Sequence, residues 1–451
     1  MGGKTAGAEE KEFTFGEGLA YLIGAVGIQL TTTMVAEWTV IFYSPPHGSN
    51  RQIYIGIGLA TAMMVIGMFF NAIAAPVVGF LSDRTRSRLG RRKPFIIYGS
   101  VPLVIVFFLI WTPPVRGQHI ANFVWGLSFV TLYFWAITAV MIPYIALMPE
   151  IARTTEGRVR IGVFNALGMI IGLVLGITSG LLIESVGVKL TGLIFGIVSL
   201  ACFQITGWTV KERFRPETAR QAASLSDMFH QLRSTLDNYP FLIFVAASMI
   251  FNLGFYVIQI AIPDFTIVVL GKNEDFVTYL FIPFLLVCLP LTFVVESFVK
   301  KWNKKITYAA GMFGFAILFP LLGASGLIPN GTLKMILMLA VVGMAGAPQA
   351  INYVMAGAMI GEIADYDEKR TGMRREALYS GAWTFGLTTA MGLGYLVRWA
   401  VYAPFGKFSV HNPSPVLLIG PVTGVISLIG FLVFLKYPIL HVVKGEESEK
   451  R

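Results

Sequence analysis

Cysteine is almost missing from this chain. Cys202 and Cys288 are the two among 451 residues, and both fall inside apolar runs. That excludes a disulfide framework and a metal site with cysteine ligand spacing. Histidine is also scarce: His47, His119, His230, His411 and His441 are scattered in or near expected loops and form no ligand cluster. No phosphate loop, nucleophile triad or nucleic-acid module is visible, so neither catalysis nor a cofactor is expected. Charge is sparse at 13%, against 55% hydrophobic residues and 47 glycines. A water-soluble chain of this length lacks the polar surface to cover so much apolar material.

Apolar runs of about 20 residues, the length that crosses a bilayer core about 30 Å thick, fill the sequence. Twelve are expected, centred near Gln29, Ile66, Val104, Trp135, Ile171, Val198, Leu253, Leu286, Phe315, Gly346, Leu387 and Ile426. The net charge of +10 sits in short clusters at the ends of these runs. That is the pattern of cytoplasmic loops facing anionic lipid, and it argues against a nucleic-acid partner. The densest cluster is the hairpin Asp83-Arg84-Thr85-Arg86-Ser87-Arg88-Leu89-Gly90-Arg91-Arg92-Lys93-Pro94. With that hairpin and both termini inside, only Arg51, Arg116, Lys189, Lys272, Lys334, Arg398 and Lys407 fall outside or near the outer interface. The stretch before Phe15 has no cleavable signal pattern, so targeting is expected from the first membrane helix, into a cell (inner) membrane.

The expected organisation is a cytoplasmic tail (1–14), a six-helix bundle (15–210), a cytoplasmic linker (211–240), a second six-helix bundle (241–437) and a tail (438–451). Within the linker, Leu225, Met228, Phe229, Leu232 and Leu236 recur at helical spacing after Ser224, which predicts an amphipathic helix on the membrane face. The two halves look related. Pro149-Glu150-Ile151-Ala152-Arg153 recurs 212 residues later as Gly361-Glu362-Ile363-Ala364-Asp365, and the basic hairpin recurs as Lys300-Lys301-Trp302-Asn303-Lys304-Lys305. Duplicated halves are the arrangement of carriers that rock two bundles about a midplane site.

The hairpin, with Ile142-Pro143-Tyr144, Leu147 and Pro149 in the fourth helix and Asp365-Tyr366, Gly372, Arg374 and Glu376 before the eleventh, resembles the major facilitator superfamily. Within it, the resemblance is to the glycoside-pentoside-hexuronide cation symporters, the group of the melibiose carriers, with the plant sucrose carriers as relatives. It covers essentially the whole chain. It implies an all-α membrane protein of twelve transmembrane helices in two pseudo-symmetric bundles. It also implies transport of a small organic solute by alternating access. The chain departs from the family where the coupling cation is held: the two carboxylates of the family's second helix fall at Asn71 and Ala75, and the acid of its fourth at Met141. The charged sugar-binding positions fall at Gln29, near Ala166 and at Thr388. Without those carboxylates, nothing offsets the dehydration of Na⁺, so proton-coupled or uncoupled transport is expected.

A binding layer roughly 8 to 13 residues in from the cytoplasmic boundary, at about 1.5 Å each, contains Gln29, Asn71, Thr138, Asn252, Gln349, Trp383 and Thr384. Each is uncharged, and each can equally be spent on a bond between helices. Glu37, beside Trp38, is the carboxylate within a helix and remote from the cytoplasmic loops; burial favours its neutral form, which makes it the candidate proton carrier. Its alternative role is an outer-interface residue meeting water or Arg51. Asp264 is expected nearer the outer surface, in water. At the inner face, Asp83, Arg84, Arg88, Arg91 and Glu150 of one half and Glu362, Arg374 and Arg375 of the other are candidates for a cytoplasmic gate; setting topology is their other reading. Expected partners are a small-molecule substrate, protons and membrane lipids, with the chain acting as a monomer. Two rivals remain: a carrier of lipid or lysolipid, and a membrane protein that kept the fold without transporting.

Overall fold

Helix-starting signals recur at the chain's polar punctuation. Thr14 closes a capping box with Glu17, accepting from its N–H at 3.2 Å while Glu17 Oε2 accepts from the Thr14 N–H at 2.8 Å. Asn238 and Asn303 cap the helices that follow them through their side-chain oxygens. The computed structural model describes residues 13–49, 51–152, 155–212, 237–371, 376–405 and 409–438. The amphipathic segment at 224–236, Arg374, Arg375 and the side chain of Asp83 lie outside the described residues.

In chain order the membrane helices are the first (Phe15–Tyr43), second (Ile57–Arg84), third (Lys93–Ile110) and fourth (Ile120–Ile151). The fifth is Thr155–Ile177, interrupted at Thr178 and resumed as Ser179–Val186; the sixth is Val188–Thr209. The second bundle holds the seventh (Tyr239–Asp264, prolonged by a π-turn Phe265–Val269), eighth (Asp275–Trp302) and ninth (Lys304–Ser325). It is completed by the tenth (Gly331–Thr371), eleventh (Glu376–Tyr402) and twelfth (Ser414–Leu435). Among the described residues, eleven segments are long and apolar enough to cross a membrane. The eleventh helix, 27 residues with several Thr and Gly and the cation Arg398, completes the twelve.

Packing within each bundle repeats. The first helix packs on the fifth and sixth, the second on the fourth, and the third on the fourth and sixth. Their counterparts do the same: seventh on eleventh and twelfth, eighth on tenth, ninth on tenth and twelfth. Between bundles, the second meets the eleventh and the fifth meets the eighth, a pair of contacts related by the same pseudo-two-fold. Small residues set the closest approaches: Gly168 and Gly172 bring the fifth helix onto the backbone of the first, Gly176 lies against the Thr33 side chain, and Gly343 and Gly346 bring the tenth onto the eighth. Large apolar side chains such as Phe69, Ile105, Phe293 and Val425 face outward, as befits a protein whose solvent is lipid.

Candidate functional site

The seven uncharged layer residues do not share one fate. Thr138 Oγ1 donates to Asn71 Oδ1 at 2.5 Å, tying the fourth helix to the second. Gln29 Nε2 reaches Thr33 Oγ1 on its own helix at 3.4 Å, and the exposed Thr384 hydroxyl donates to Ser380 O at 2.9 Å. Asn252 belongs to a buried network that sequence reasoning missed. Its Nδ2 donates to Ser248 O (2.8 Å) and its Oδ1 accepts from Asn352 Nδ2 (3.1 Å). The Tyr308 hydroxyl then donates to Asn352 Oδ1 at 3.1 Å and meets Ser248 Oγ at 3.0 Å. The i,i+4 pair Ser248/Asn252 was the available signal; a tyrosine in an apolar run gave none.

Gln349 and Trp383 are different. Buried Gln349 Oε1 and Trp383 Nε1 have no hydrogen-bond partner among the described residues. An acceptor and a donor left unmade inside a protein each cost about 1–3 kcal/mol, which marks them as atoms awaiting something.

Glu37 is 2% exposed, and neither carboxyl oxygen has a partner among the described residues. Arg51, its suggested basic partner, is instead 2.7 Å from Glu274. The eleventh helix crosses beside Glu37: the Tyr395 hydroxyl donates to Ala36 O at 2.8 Å.

The expectation that Asp264 sits in water is overturned. It is fully buried, and Arg398 Nε and Nη2 donate to its two oxygens at 2.7 Å each while Tyr402 OH donates to Oδ2 at 2.6 Å. The π-turn after Asp264 prolongs its helix by a turn, and the eleventh helix runs on to Tyr402 beside it, so a position counted as terminal lies inside the bundle.

The two faces of the molecule are fastened differently. On the face opposite the arginine hairpin, called here the far face, bonds cross between bundles. Thr278 Oγ1 donates to Ile177 O at 2.9 Å, Asn273 Nδ2 to Glu184 Oε1 at 3.1 Å, and Val410 N and Ser409 Oγ to His47 O at 2.9 and 3.0 Å. Arg51–Glu274 joins them, and Gly180 lies so close to the Glu274 carbonyl that a Cβ there would collide with it. Burial, and then the Glu184 carboxyl, push Glu274 up to about 7 against the pull of Arg51.

On the basic face, the ion pairs seen among the described residues lie inside each bundle. Arg91 Nη2 is 2.7 Å and Arg92 Nε 3.6 Å from Glu150 Oε1; Arg92 Nη1 donates to Ser82 Oγ at 2.6 Å. Glu212 accepts from the backbone N–H groups of Arg91 (2.6 Å) and Arg92 (3.0 Å), where a carboxylate suits the start of the third helix. Burial and the Glu212 carboxylate raise Glu150 above the usual carboxylate range, opposed by Arg91 and Arg92. The second bundle repeats the device, with Lys304 Nζ 2.6 Å from Glu362 Oε2. Arg84 lies on the second helix's exposed last turn and Arg88 is exposed in the hairpin. Among the described residues, the ion pairs seen for Arg91, Glu150 and Glu362 lie within their own halves.

A family model described as MFS/sugar transport protein matches residues 20–438. The chain belongs to this family. It is an integral, multi-pass membrane protein and a transporter of small molecules. An uncharacterized symporter, YnaJ of Bacillus subtilis, is 26% identical over 437 residues, covering 91% of this chain and 87% of its own. The isoprimeverose transporter of Lactiplantibacillus pentosus is 20% identical (88% and 82% covered). The sodium-dependent lysophosphatidylcholine symporter 1-A of Danio rerio is 22% identical (93% and 85%). Among solved structures, a mutant form of the nucleoside transporter NupG matches with a TM-score of 0.65 at 14% identity, covering 93% of this chain and 98% of that one. That likeness establishes the shared fold.

Proposed function

We propose that this family member moves a small organic solute of the sugar or glycoside type by alternating access, coupled to protons or uncoupled. The basic face lies in the cytoplasm and the far face outside, as the Lys and Arg distribution supports. The bonds that cross between bundles on the far face support an inward-facing reading of this arrangement.

The observation that carries this reading is Glu37, a buried acid with no partner among the described residues, on the first helix at the seam between bundles. An unpaired charge there costs several kcal/mol, so Glu37 holds a proton in this arrangement and releases it when the far face opens to water. Gln349 Oε1 and Trp383 Nε1 offer the solute an acceptor and a donor. The acid-free Asn71, already engaged by Thr138, supports the reading against Na⁺.

A lipid carrier is the second reading, favoured by the lysophosphatidylcholine symporter among the relatives. Proteoliposomes given labelled isoprimeverose or labelled lysophosphatidylcholine, with pH and Na⁺ gradients imposed separately, separate the two. The expected result is sugar uptake driven by a pH gradient. Glu37→Gln abolishes that accumulation and spares exchange down the solute's own gradient; a Glu37→Gln carrier that still concentrates solute in response to pH overturns the assignment of Glu37.

A further inference from the structure

Among the described residues, the buried part of the far-face seam holds two acids, Glu37 and Asp264, and one cation, Arg398. Arg398 gives the Nε/Nη2 edge of its guanidinium to Asp264, which Tyr402 also bonds, and neither carboxyl oxygen of Glu37 has a partner among the described residues. The groups are neighbours: Arg398 is one helical turn beyond Tyr395, and Tyr395 bonds the backbone next to Glu37. We propose that Asp264 is the positioning residue that makes closure of the far face depend on a proton, because by occupying Arg398 it obliges Glu37 to be neutral before the two bundles seal.

The inference deepens the proton reading of Glu37 and rests on it. A sealed, water-free seam with Asp264 and Glu37 both ionised and Arg398 between them carries an uncompensated negative charge, which low-dielectric burial penalises heavily. With Glu37 protonated the seam is neutral. On opening, Glu37 parts from the eleventh helix and meets water, where the proton leaves its carboxyl oxygen for solvent. Asp264 and Arg398 lie on the seventh and eleventh helices of one bundle and move together, so their pair persists through the cycle. Among the described residues, the charges and titratable groups facing the seam are Tyr395, Arg398 and Tyr402 from the eleventh helix, Asp264 from the seventh, and at its rim Arg51, Glu184 and Glu274.

The test uses the full chain in proteoliposomes, with Cys202 and Cys288 replaced by Ala and spin labels on cysteines at Arg116 and Leu327. Both positions are exposed in far-face loops, one on each bundle. A Glu274→Gln background removes the rim acid. The parent is expected to close as pH falls and to open as it rises. Glu37→Gln should lose the pH dependence, keeping the same balance of closed and open at every pH and still opening for exchange. Asp264→Asn frees Arg398 to pair with ionised Glu37, so closure loses its pH dependence. Asp264→Asn/Arg398→Gln removes acid and cation together and restores it. A parent whose closure ignores pH overturns the proton reading itself. A pH-dependent parent with a pH-independent Glu37→Gln, but an Asp264→Asn that still follows the parent, or a double variant that stays flat, overturns the role of Asp264 alone. The double variant leaves no charge unpaired, which keeps the comparison available if the single variant folds poorly.

Discussion

Among the described residues, side chains of one bundle bond to the other on the far face, whereas on the basic face the paired acid and base belong to the same bundle. The charge types are alike, and what differs is whether the bond crosses the plane along which the bundles move. Arg51–Glu274 and Asn273–Glu184 break when the far face opens. Arg91–Glu150 and Lys304–Glu362 survive any rigid-body rocking. A bond contributes to a conformational equilibrium only when it differs between the two states, so the crossing bonds govern state and the others govern the integrity of each half.

Arg398→Gln gives the largest expected effect. It strands the buried Asp264 carboxylate and should destabilise the protein by about 3–5 kcal/mol, read as a lower thermal unfolding midpoint in detergent, whereas Asp264→Asn/Arg398→Gln should unfold close to the parent. Glu150→Gln comes next: it removes a charge-assisted bond worth about 1.5–3 kcal/mol and lowers the same midpoint without altering the far-face distance between labels at Arg116 and Leu327. A shifted distance would mean that the basic-face pair also reports on state.

Glu274→Gln should do the reverse. Glu274 is held up to about 7 in the closed seam. It therefore binds its proton more tightly closed than open, and closure gains as pH falls from about 7 toward the ordinary carboxylate range and is lost as pH rises through 7. In the substituted protein that part of the pH dependence disappears while the unfolding midpoint holds. The smallest effect is a null: uptake at fixed pH should not change when Na⁺ replaces choline, and a saturable stimulation would show that Asn71 and Thr138 leave their mutual bond to hold an ion.

Much of this was legible in the sequence, because bilayer thickness and loop charge act on composition alone. The twelve runs, the duplicated halves and the kinship of Glu150 with Glu362 needed no coordinates. The second copy even keeps the bond while changing the base from arginine to Lys304. What sequence gives poorly is the facing of a residue around its helix. Depth along the chain placed Asp264 near water, and only the π-turn and the neighbouring eleventh helix reveal its burial. The same limit applied to the polar layer: counting inward found Asn252 and Gln349 alike, yet Asn252 is spent on Ser248 and Asn352 while Gln349 Oε1 is not. Arg398, counted with the outer loops, is 2% exposed because its counter-ion lies on a helix 134 residues away in sequence.

Gly180 gives the seam a mechanical tolerance. The resumed end of the fifth helix meets the loop before the eighth with nothing but hydrogen between its Cα and the Glu274 carbonyl, a backbone atom that no rotamer change can move aside. A single methyl there acts as a wedge, holding the bundles ajar while leaving the packing inside each untouched. The far-face seal of this carrier is thus gauged by the absence of one carbon atom.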